Sequence, residues 1–291
     1  MSVIALPLPR ISVKGANCGA SIVMVRWCLC TSPREPAAPT TPQCELMSPP
    51  RPYFATGLAI ATLCAVFCGV LSLPAAARGA DIQDHSMWLA LFSQGELEIP
   101  WSDTENLLWW YDTHARFFGG QCPEFQGIVR PGIGCRLNDN HSAWIGYAWV
   151  RDMLPRLDVY ENRIWEQWGW TEEFGDISTL SRSRLEQRFV SVGAQVGWRF
   201  RQLLRAQRPV KDHPRLLWVT WDEIFFHLNE TDWGTVPGYN QNRVFVGMGA
   251  RPKRGSPWRT EVGYLYQQID IPFDGANLSN HIVSINIYFN P

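Results

Sequence analysis

Apolar and polar residues alternate along most of the chain that follows residue 106. In the segment 107–117, Trp109, Tyr111 and Phe117 share one face, whereas Asp112 and Arg116 share the other. A period of two residues is typical of β-strands, and no stretch of this region has a convincing period of 3.6 residues. The pattern therefore predicts an all-β fold.

Alternating segments and the turn residues between them predict twelve strands, of which 95–101 is the weakest. We expect an antiparallel up-and-down barrel of about twelve strands, with ten strands as the alternative. An even number is required if both termini lie on the same side of a membrane. The predicted strands are 86–93, 95–101, 107–117, 127–136, 142–150, 161–169, 178–190, 195–206, 215–228, 241–250, 259–268 and 280–289.

Alternation alone does not decide whether the apolar face points into a soluble barrel or out of a membrane barrel. The polar face carries clustered charges of both signs, which favours a lumen crossed by ion pairs; a salt-bridged outer surface is the alternative. One strand argues against a membrane, because the face opposite Arg182 and Arg188 is poorly apolar. The predicted lumen charge network is Arg116, Glu161, Arg163, Arg182, Arg184, Glu186, Arg188, Arg199, Arg201, Arg205, Glu223, Arg243 and Glu261.

Aromatic residues near strand ends point the same way, because outer-membrane barrels carry aromatic girdles at both interfaces. The tryptophans predicted to contribute are Trp88, Trp101, Trp149, Trp170, Trp218 and Trp233. The combined pattern favours a transmembrane β-barrel.

An export signal precedes the alternating region. Residues 54–73 are apolar and uncharged, with Arg51 before them and the cleavage-competent Ala75-Ala76-Ala77 after them. We expect residues 47–77 to be a cleaved secretory signal peptide and 78–291 a single β-barrel domain. Residues 1–46 are expected to be untranslated or an unstructured leader. The alternative is a transmembrane anchor, because about 20 apolar residues can span a bilayer.

Composition limits the candidate chemistry. With 26 basic and 27 acidic residues and a hydrophobic content of 46%, the chain is neither disordered nor basic enough to predict nucleic-acid binding. Cys122 and Cys135 follow the predicted signal and either form a disulfide or remain two free buried thiols. No spacing of Cys, His, Asp or Glu indicates a metal site, and we expect no cofactor.

Catalytic motifs are also lacking. There is no G-x-S-x-G, no H-E-x-x-H and no glycine-rich phosphate loop. His141 and Ser142 are adjacent, so a strand would point them to opposite faces and they would make a poor catalytic dyad. We therefore expect no enzymatic activity, with a membrane-embedded lipid hydrolase as a weak alternative.

A set of short motifs follows a fixed order along the chain after the signal. The motifs are Trp88, the 136–147 hairpin, Glu161-x-Arg163, Arg182-x-Arg184-x-Glu186-x-Arg188, Arg199-x-Arg201, Trp221-Asp222-Glu223-x-Phe225, Gln241-Asn242-Arg243-x-Phe245-x-Gly247, Glu261-x-Gly263-Tyr264 and Asn280-His281. No single motif is specific, whereas the order and spacing of the set are, and they cover almost all of the chain after the signal. The set resembles the DUF2490 family of uncharacterised bacterial outer-membrane barrel proteins. The resemblance implies a β-barrel of the Gram-negative outer membrane and no established activity.

Two functions remain open for such a barrel. Rings of Arg and Glu could leave a selective pore for small solutes, or they could pair and fill the bore of a closed structural or interaction barrel. A soluble periplasmic barrel that binds an apolar ligand is a third alternative. The expected partners are outer-membrane lipid and the barrel-assembly machinery, with a small solute as the candidate substrate and no nucleic acid; the oligomeric state stays open.

Overall fold

The computed structural model describes residues 82–98, 106–119, 124–154, 157–253, 255–271 and 276–291. The predicted leader, 1–46, and signal peptide, 47–77, lie outside these residues. None of the helices within the described residues is long and apolar enough to cross a membrane.

Eleven strands form one closed barrel in the described part of the chain. Each is 12 to 18 residues long. They are β1 (Ile82–Glu96), β2 (Leu107–Phe118), β3 (Glu124–Arg136), β4 (His141–Leu154), β5 (Leu157–Phe174), β6 (Ile177–Val190), β7 (Gly197–Val210), β8 (His213–His227), β9 (Gly238–Ala250), β10 (Trp258–Ile271) and β11 (Ala276–Phe289).

Every strand pairs antiparallel with its sequence neighbours, and the barrel closes between β1 and β11. That closing pair is parallel, with Ile82 opposite Leu278 and Ser93 opposite Phe289. The expectation of twelve or ten strands is therefore wrong. An even number is needed only when the first and last strands pair antiparallel, and a parallel pair closes an odd number.

The two strands predicted at 86–93 and 95–101 account for the difference. Gln94, Gly95 and Glu96 continue β1 and pair with Trp110, Trp109 and Leu108 of β2, so no turn separates them from Ser93. Among the described residues, no separate strand follows Glu96 before β2.

The barrel has a lower end, where β1 begins, and an upper end, where β11 finishes. At the upper end, Gly175-Asp176 joins β5 to β6, and Lys211-Asp212 joins β7 to β8. Gly175 and Asp212 have φ values of 64° and 63°, a conformation that suits Gly and is tolerated by Asp in tight turns. The longest described lower connection is 228–237, between β8 and β9.

The wall separates an apolar exterior from a polar interior. Large hydrophobic side chains point outward into solvent-accessible space; Ile133, Val246 and Val283 are 55–58% exposed. The described buried residues, by contrast, include more polar and charged side chains than hydrophobic ones. This is the inverse of a water-soluble fold, in which apolar residues fill the interior.

Candidate functional site

The structure places all thirteen residues of the predicted lumen charge network inside the barrel. They lie on seven strands and share one face of each, as the period of two requires. Arg116 is on β2, Glu161 and Arg163 on β5, and Arg182 to Arg188 on β6. Arg199, Arg201 and Arg205 follow on β7, Glu223 on β8, Arg243 on β9 and Glu261 on β10.

Glu186 is the centre of this network. Its Oε2 accepts hydrogen bonds from Arg199 Nε at 2.9 Å and Nη2 at 2.5 Å, and its Oε1 accepts one from Arg201 Nη1 at 2.6 Å. Arg201 also donates from Nη2 to Glu223 Oε1 at 2.7 Å. Arg182 Nη2 donates to the same Glu223 oxygen at 2.7 Å. One arginine thus bridges two buried carboxylates, which a guanidinium fork can do and an ammonium group cannot do with fixed geometry.

Glu161 and Glu261 form two further groups. Arg163 and Arg188 each donate from Nε and Nη2 to the two carboxylate oxygens of Glu161, at 2.5 to 3.1 Å. Arg205 donates to Glu261, and Arg259 Nε lies 3.1 Å from Glu261 Oε1. Each buried carboxylate of the predicted network therefore faces at least two arginines.

Four charged residues of the interior were absent from the predicted network: Asp112, Arg130, Asp152 and Arg259. Asp112 is fully buried, accepts from Trp110 Nε1 at 2.5 Å, and lies 3.5 Å from Arg130 Nε. The alternation that selected Arg116 also puts Asp112 on its face, so this residue could have been found from the sequence. The nearest residues on the same strand face as Arg130 and as Asp152 are uncharged. The alternation of charged residues therefore could not have identified these two positions.

Arginine exceeds carboxylate inside the described barrel, with eleven against six. The arginines are Arg116, Arg130, Arg163, Arg182, Arg184, Arg188, Arg199, Arg201, Arg205, Arg243 and Arg259; the carboxylates are Asp112, Asp152, Glu161, Glu186, Glu223 and Glu261. The interior thus carries a surplus of positive charge.

Aromatic side chains fill much of the remaining bore. Trp165 of β5 is 1% exposed and lies under the guanidinium of Arg184, whose carbon is 4.5 Å from the ring centroid. The ring occupies space that a side chain at Gly146 would take, because a Cβ there would lie 2.2 Å from Trp165. A second apolar group joins Trp88, Phe245, Leu265 and other buried residues on the opposite wall.

Among the described residues, one cavity lies toward the upper end of the bore and another toward the lower end. The upper cavity has a volume of about 200 Å³ and the lower cavity about 290 Å³. Trp88 and four arginines line both of them, and we call these five residues the waist: Trp88, Arg116, Arg130, Arg201 and Arg243. Every waist residue is less than 10% exposed, so these side chains have little free surface between the two cavities.

The loop 228–237 is fixed against the neighbouring lower loop, 191–196. Asp232 accepts hydrogen bonds from the backbone N–H groups of Ala194, at 2.8 Å, and Gln195, at 3.2 Å. These bonds lower the pKa of Asp232 below its ordinary value. Trp233 fits against Gly193, where a Cβ would lie 2.4 Å from the ring.

The aromatic residues expected at the membrane interfaces divide into two groups. Trp149, Trp170 and Trp218 lie on the outer face of their strands, and Trp101 lies outside the described residues. Trp88 is 6% exposed inside the barrel and Trp233 packs in a loop, so neither belongs to a girdle. Both were misplaced because proximity to a strand end does not specify which face a residue occupies.

His141 and Ser142 of β4 do not form a catalytic dyad. His141 Nδ1 accepts from Trp168 Nε1 at 3.1 Å, while Ser142 Oγ accepts from Trp144 Nε1 at 2.9 Å, so adjacent residues face opposite sides of β4. In the described residues, no group of three His, Cys, Asp or Glu side chains could hold a metal ion. Cys135 is half-buried. Cys122 lies outside the described residues, so its disulfide with Cys135 stays a prediction.

Comparison with known proteins identifies the family. The model of the protein family of unknown function DUF2490 matches residues 85–274, which include most of the barrel and its waist. The chain belongs to the DUF2490 family. An uncharacterised protein of Methylorubrum extorquens is 33% identical over 236 residues, which cover 80% of this chain and 97% of the relative. No solved structure matches this DUF2490 chain.

Proposed function

We propose that this DUF2490 protein is an outer-membrane β-barrel whose bore is closed at the waist, and that it acts as a structural or interaction barrel. Exposed apolar side chains around the wall support a membrane location, because water would not favour such a surface. The strands also exceed the 9 to 11 residues or so that a tilted transmembrane strand needs.

The burial of the waist side chains is the observation that supports a closed bore. In an open pore the lining arginines would be hydrated, whereas Arg130 is 4% exposed and Arg201 is 5% exposed. Wide bores with mobile water are typical of barrels with more strands. In the described part of the barrel, aromatic and ion-paired side chains occupy the space between the upper and the lower cavity.

Single-channel recording on the purified, heat-modifiable protein in a planar bilayer tests this proposal. We expect no discrete conductance steps from the wild-type protein. The double variant Trp88→Ala with Arg243→Ala removes two waist side chains and should produce steps.

The matched control is Trp218→Ala with Arg208→Ala, which removes the same residue types from the outer wall and the upper rim. It should stay silent and keep its faster migration on an unheated gel. Conductance from the wild-type protein would contradict the closed state, and recovery in the periplasmic extract would contradict the membrane location.

A pore for small solutes is the second candidate. The surplus of interior arginine favours it, because a positive lumen attracts small anions. If the wild-type protein conducts, the reversal potential in a salt gradient should then show anion selectivity.

A further inference from the structure

The upper cavity combines an apolar wall with an unusually one-sided charge. Seven arginines and one carboxylate, Glu223, line it. The apolar wall includes Phe92, Trp110, Leu203, Trp221 and Leu265. Mostly apolar walls with a few convergent polar groups are typical of sites for small organic ligands.

Four of the seven arginines pair with carboxylates. Arg182 and Arg201 donate to Glu223, while Arg205 and Arg259 face Glu261. Three waist arginines are left: Arg116, Arg130 and Arg243. Within the described residues none of these three donates a hydrogen bond to a carboxylate. Arg116 bonds Gln126 and Arg243 bonds Gln241, at 2.7 and 3.4 Å.

Arg130 lies closest to an acid, since its Nε is 3.5 Å from Asp112 Oδ1. That distance is too long for a hydrogen bond of ordinary strength. Both Asp112 oxygens already have nearer partners, His114 Nε2 at 2.9 Å and Trp110 Nε1 at 2.5 Å. The charge of Arg130 is therefore only partly compensated.

The waist also holds four buried nitrogen atoms without a hydrogen-bond partner: Trp88 Nε1, Arg116 Nε, Arg130 Nε and Arg243 Nε. Their side chains are more than nine-tenths buried and line the cavity. Arg116 and Arg243 both lie against the Trp88 ring, at 4.0 and 5.0 Å from its centroid. Every unpartnered buried side-chain atom among the described residues is a donor, so the interior lacks acceptors.

We propose that the upper cavity binds an organic anion in which an oxyanion group is joined to an aromatic or short alkyl body. The oxyanion accepts hydrogen bonds from the guanidinium groups of Arg116, Arg130 and Arg243. The apolar body lies between the waist and the upper end, against Trp110 and Trp221. The cavity volume of about 200 Å³ suits a body of roughly one ring.

The lower cavity does not match this chemistry. Two carboxylates, Asp152 and Glu161, line it, and Glu161 pairs with Arg163 and Arg188. Amide side chains, including Gln126, Gln241 and Gln267, replace much of the apolar wall. The anion therefore binds on the upper side of the waist.

Isothermal titration calorimetry with benzoate tests the proposal on the folded barrel in an amphipathic polymer. We expect saturable binding of benzoate with about one site per barrel. Benzamide has the same shape without the charge and should bind at least 10-fold more weakly. Inorganic phosphate has the charge without the apolar body and should also bind at least 10-fold more weakly.

Variants locate the site. Arg243→Gln should weaken benzoate binding at least 10-fold, and Arg116→Gln provides a second variant if Arg243→Gln fails to fold. Arg208→Gln removes the same charge from the exposed upper rim and should bind like wild type. Migration on an unheated gel checks that each variant is folded.

Absence of saturable benzoate binding would overturn the proposal. So would equal affinity for benzamide, equal affinity for phosphate, or wild-type affinity in both waist variants. The cavity does not depend on where the barrel resides or whether it conducts, so this experiment and the conductance experiment can fail separately.

Discussion

Each of the four interior glutamates, Glu161, Glu186, Glu223 and Glu261, holds two arginines in place. Glu186 is 1% exposed and accepts three hydrogen bonds from Arg199 and Arg201. Such a group is strongly bound by its partners but costs much to remove from water. The contribution of Glu186 to the free energy of unfolding can therefore be measured by removing one member of the network.

Replacing Glu186 by Gln tests this contribution. Gln keeps the size of the side chain but leaves the buried charge of Arg199 without a carboxylate, and Arg201 keeps only Glu223. We expect a loss of about 3 to 5 kcal/mol in the free energy of unfolding. Urea titration followed by gel migration without heating measures it.

Glu96→Gln is the matched control. Glu96 pairs with Arg136 at the upper rim, where both side chains are largely exposed. An exposed pair contributes about 0 to 1 kcal/mol, so this variant should unfold near the wild-type urea concentration. Equal stability of Glu186→Gln and wild type would show that the interior network does not hold the barrel together.

Asp232 provides a pH-dependent contact on the exposed surface. Its pKa is lowered in the folded protein because the N–H groups of Ala194 and Gln195 stabilise the carboxylate. The contact between the two lower loops is therefore fully present above the unfolded pKa of Asp232. It is lost as the pH falls through the lowered folded pKa.

Proteolysis of the 191–196 loop across acidic pH measures this loss. Cleavage by an acid-active protease should increase as Asp232 is protonated, relative to its rate on an unfolded reference substrate. Asp232→Asn should be cleaved readily at every pH in this range. An unchanged wild-type profile would contradict a role for the carboxylate in fixing the loop.

For a single charged residue, the sequence predicts which face of its strand the side chain occupies, but it does not predict the partner of that side chain. The period of two places Arg182, Arg184, Glu186 and Arg188 together correctly. It cannot show that Arg184 bonds Gln167 and lies over Trp165, because these contacts depend on the register between β5 and β6. The alternation within each strand does not specify that register. The unpaired waist arginines are likewise a property of the assembled barrel.

Strand β6 shows how one element can carry polar groups on both faces. Its outer face includes Ser181 and Ser183, which argued against a lipid contact in the sequence. Gln202 of β7 accepts a hydrogen bond from Ser183 Oγ at 2.6 Å and donates to Ser181 Oγ at 2.9 Å. The polar atoms thus satisfy one another across the strand pair, which lowers the cost of facing an apolar medium.

Placing a charge on the outer face of β11 tests the membrane assignment of the wall. Ile285 lies opposite Val262 of β10 and Leu89 of β1, near the middle of the strand. In a bilayer, Ile285→Arg should cost about 2 to 4 kcal/mol, because the cost of Arg is greatest at the midplane. Reversible unfolding from lipid vesicles measures the difference.

Thr260→Arg is the control, because Thr260 is exposed on the outer face of β10 close to its upper end. There the cost should fall to about 0 to 1 kcal/mol. Equal costs at the two positions would contradict a bilayer around the wall.

The predicted segments match ten of the observed strands within a few residues, and the eleventh differs for a local reason. Gln94 and Gly95 are unfavourable in strands, so the sequence suggests a break after Ser93. Their pairing with the Trp110 and Trp109 backbone keeps them in β1. Tertiary pairing overrides the local preference, and a period-two pattern carries no information about such pairing.

The strand number of the whole barrel depends on that single local error. With the twelve predicted strands, the first and last strands would pair antiparallel. With the eleven observed strands, the closing pair is parallel. The number of strands is a property of closure, so each strand can be predicted nearly correctly while the topology is wrong. The parallel closing pair also contains Ser86 Oγ, which donates to Asn280 Oδ1 at 2.9 Å inside the barrel.

Parallel closure has a consequence for the sidedness of the polypeptide. Because β1 and β11 run in the same direction, the chain enters at one rim and leaves at the other. In a bilayer, eleven passes amount to one net crossing, and the two ends of the chain face different compartments. An epitope inserted before Ile82 and another added after Pro291 should therefore never be labelled together in intact cells. Permeabilised cells should expose both, whereas a barrel with an even number of strands would present the two epitopes on the same side.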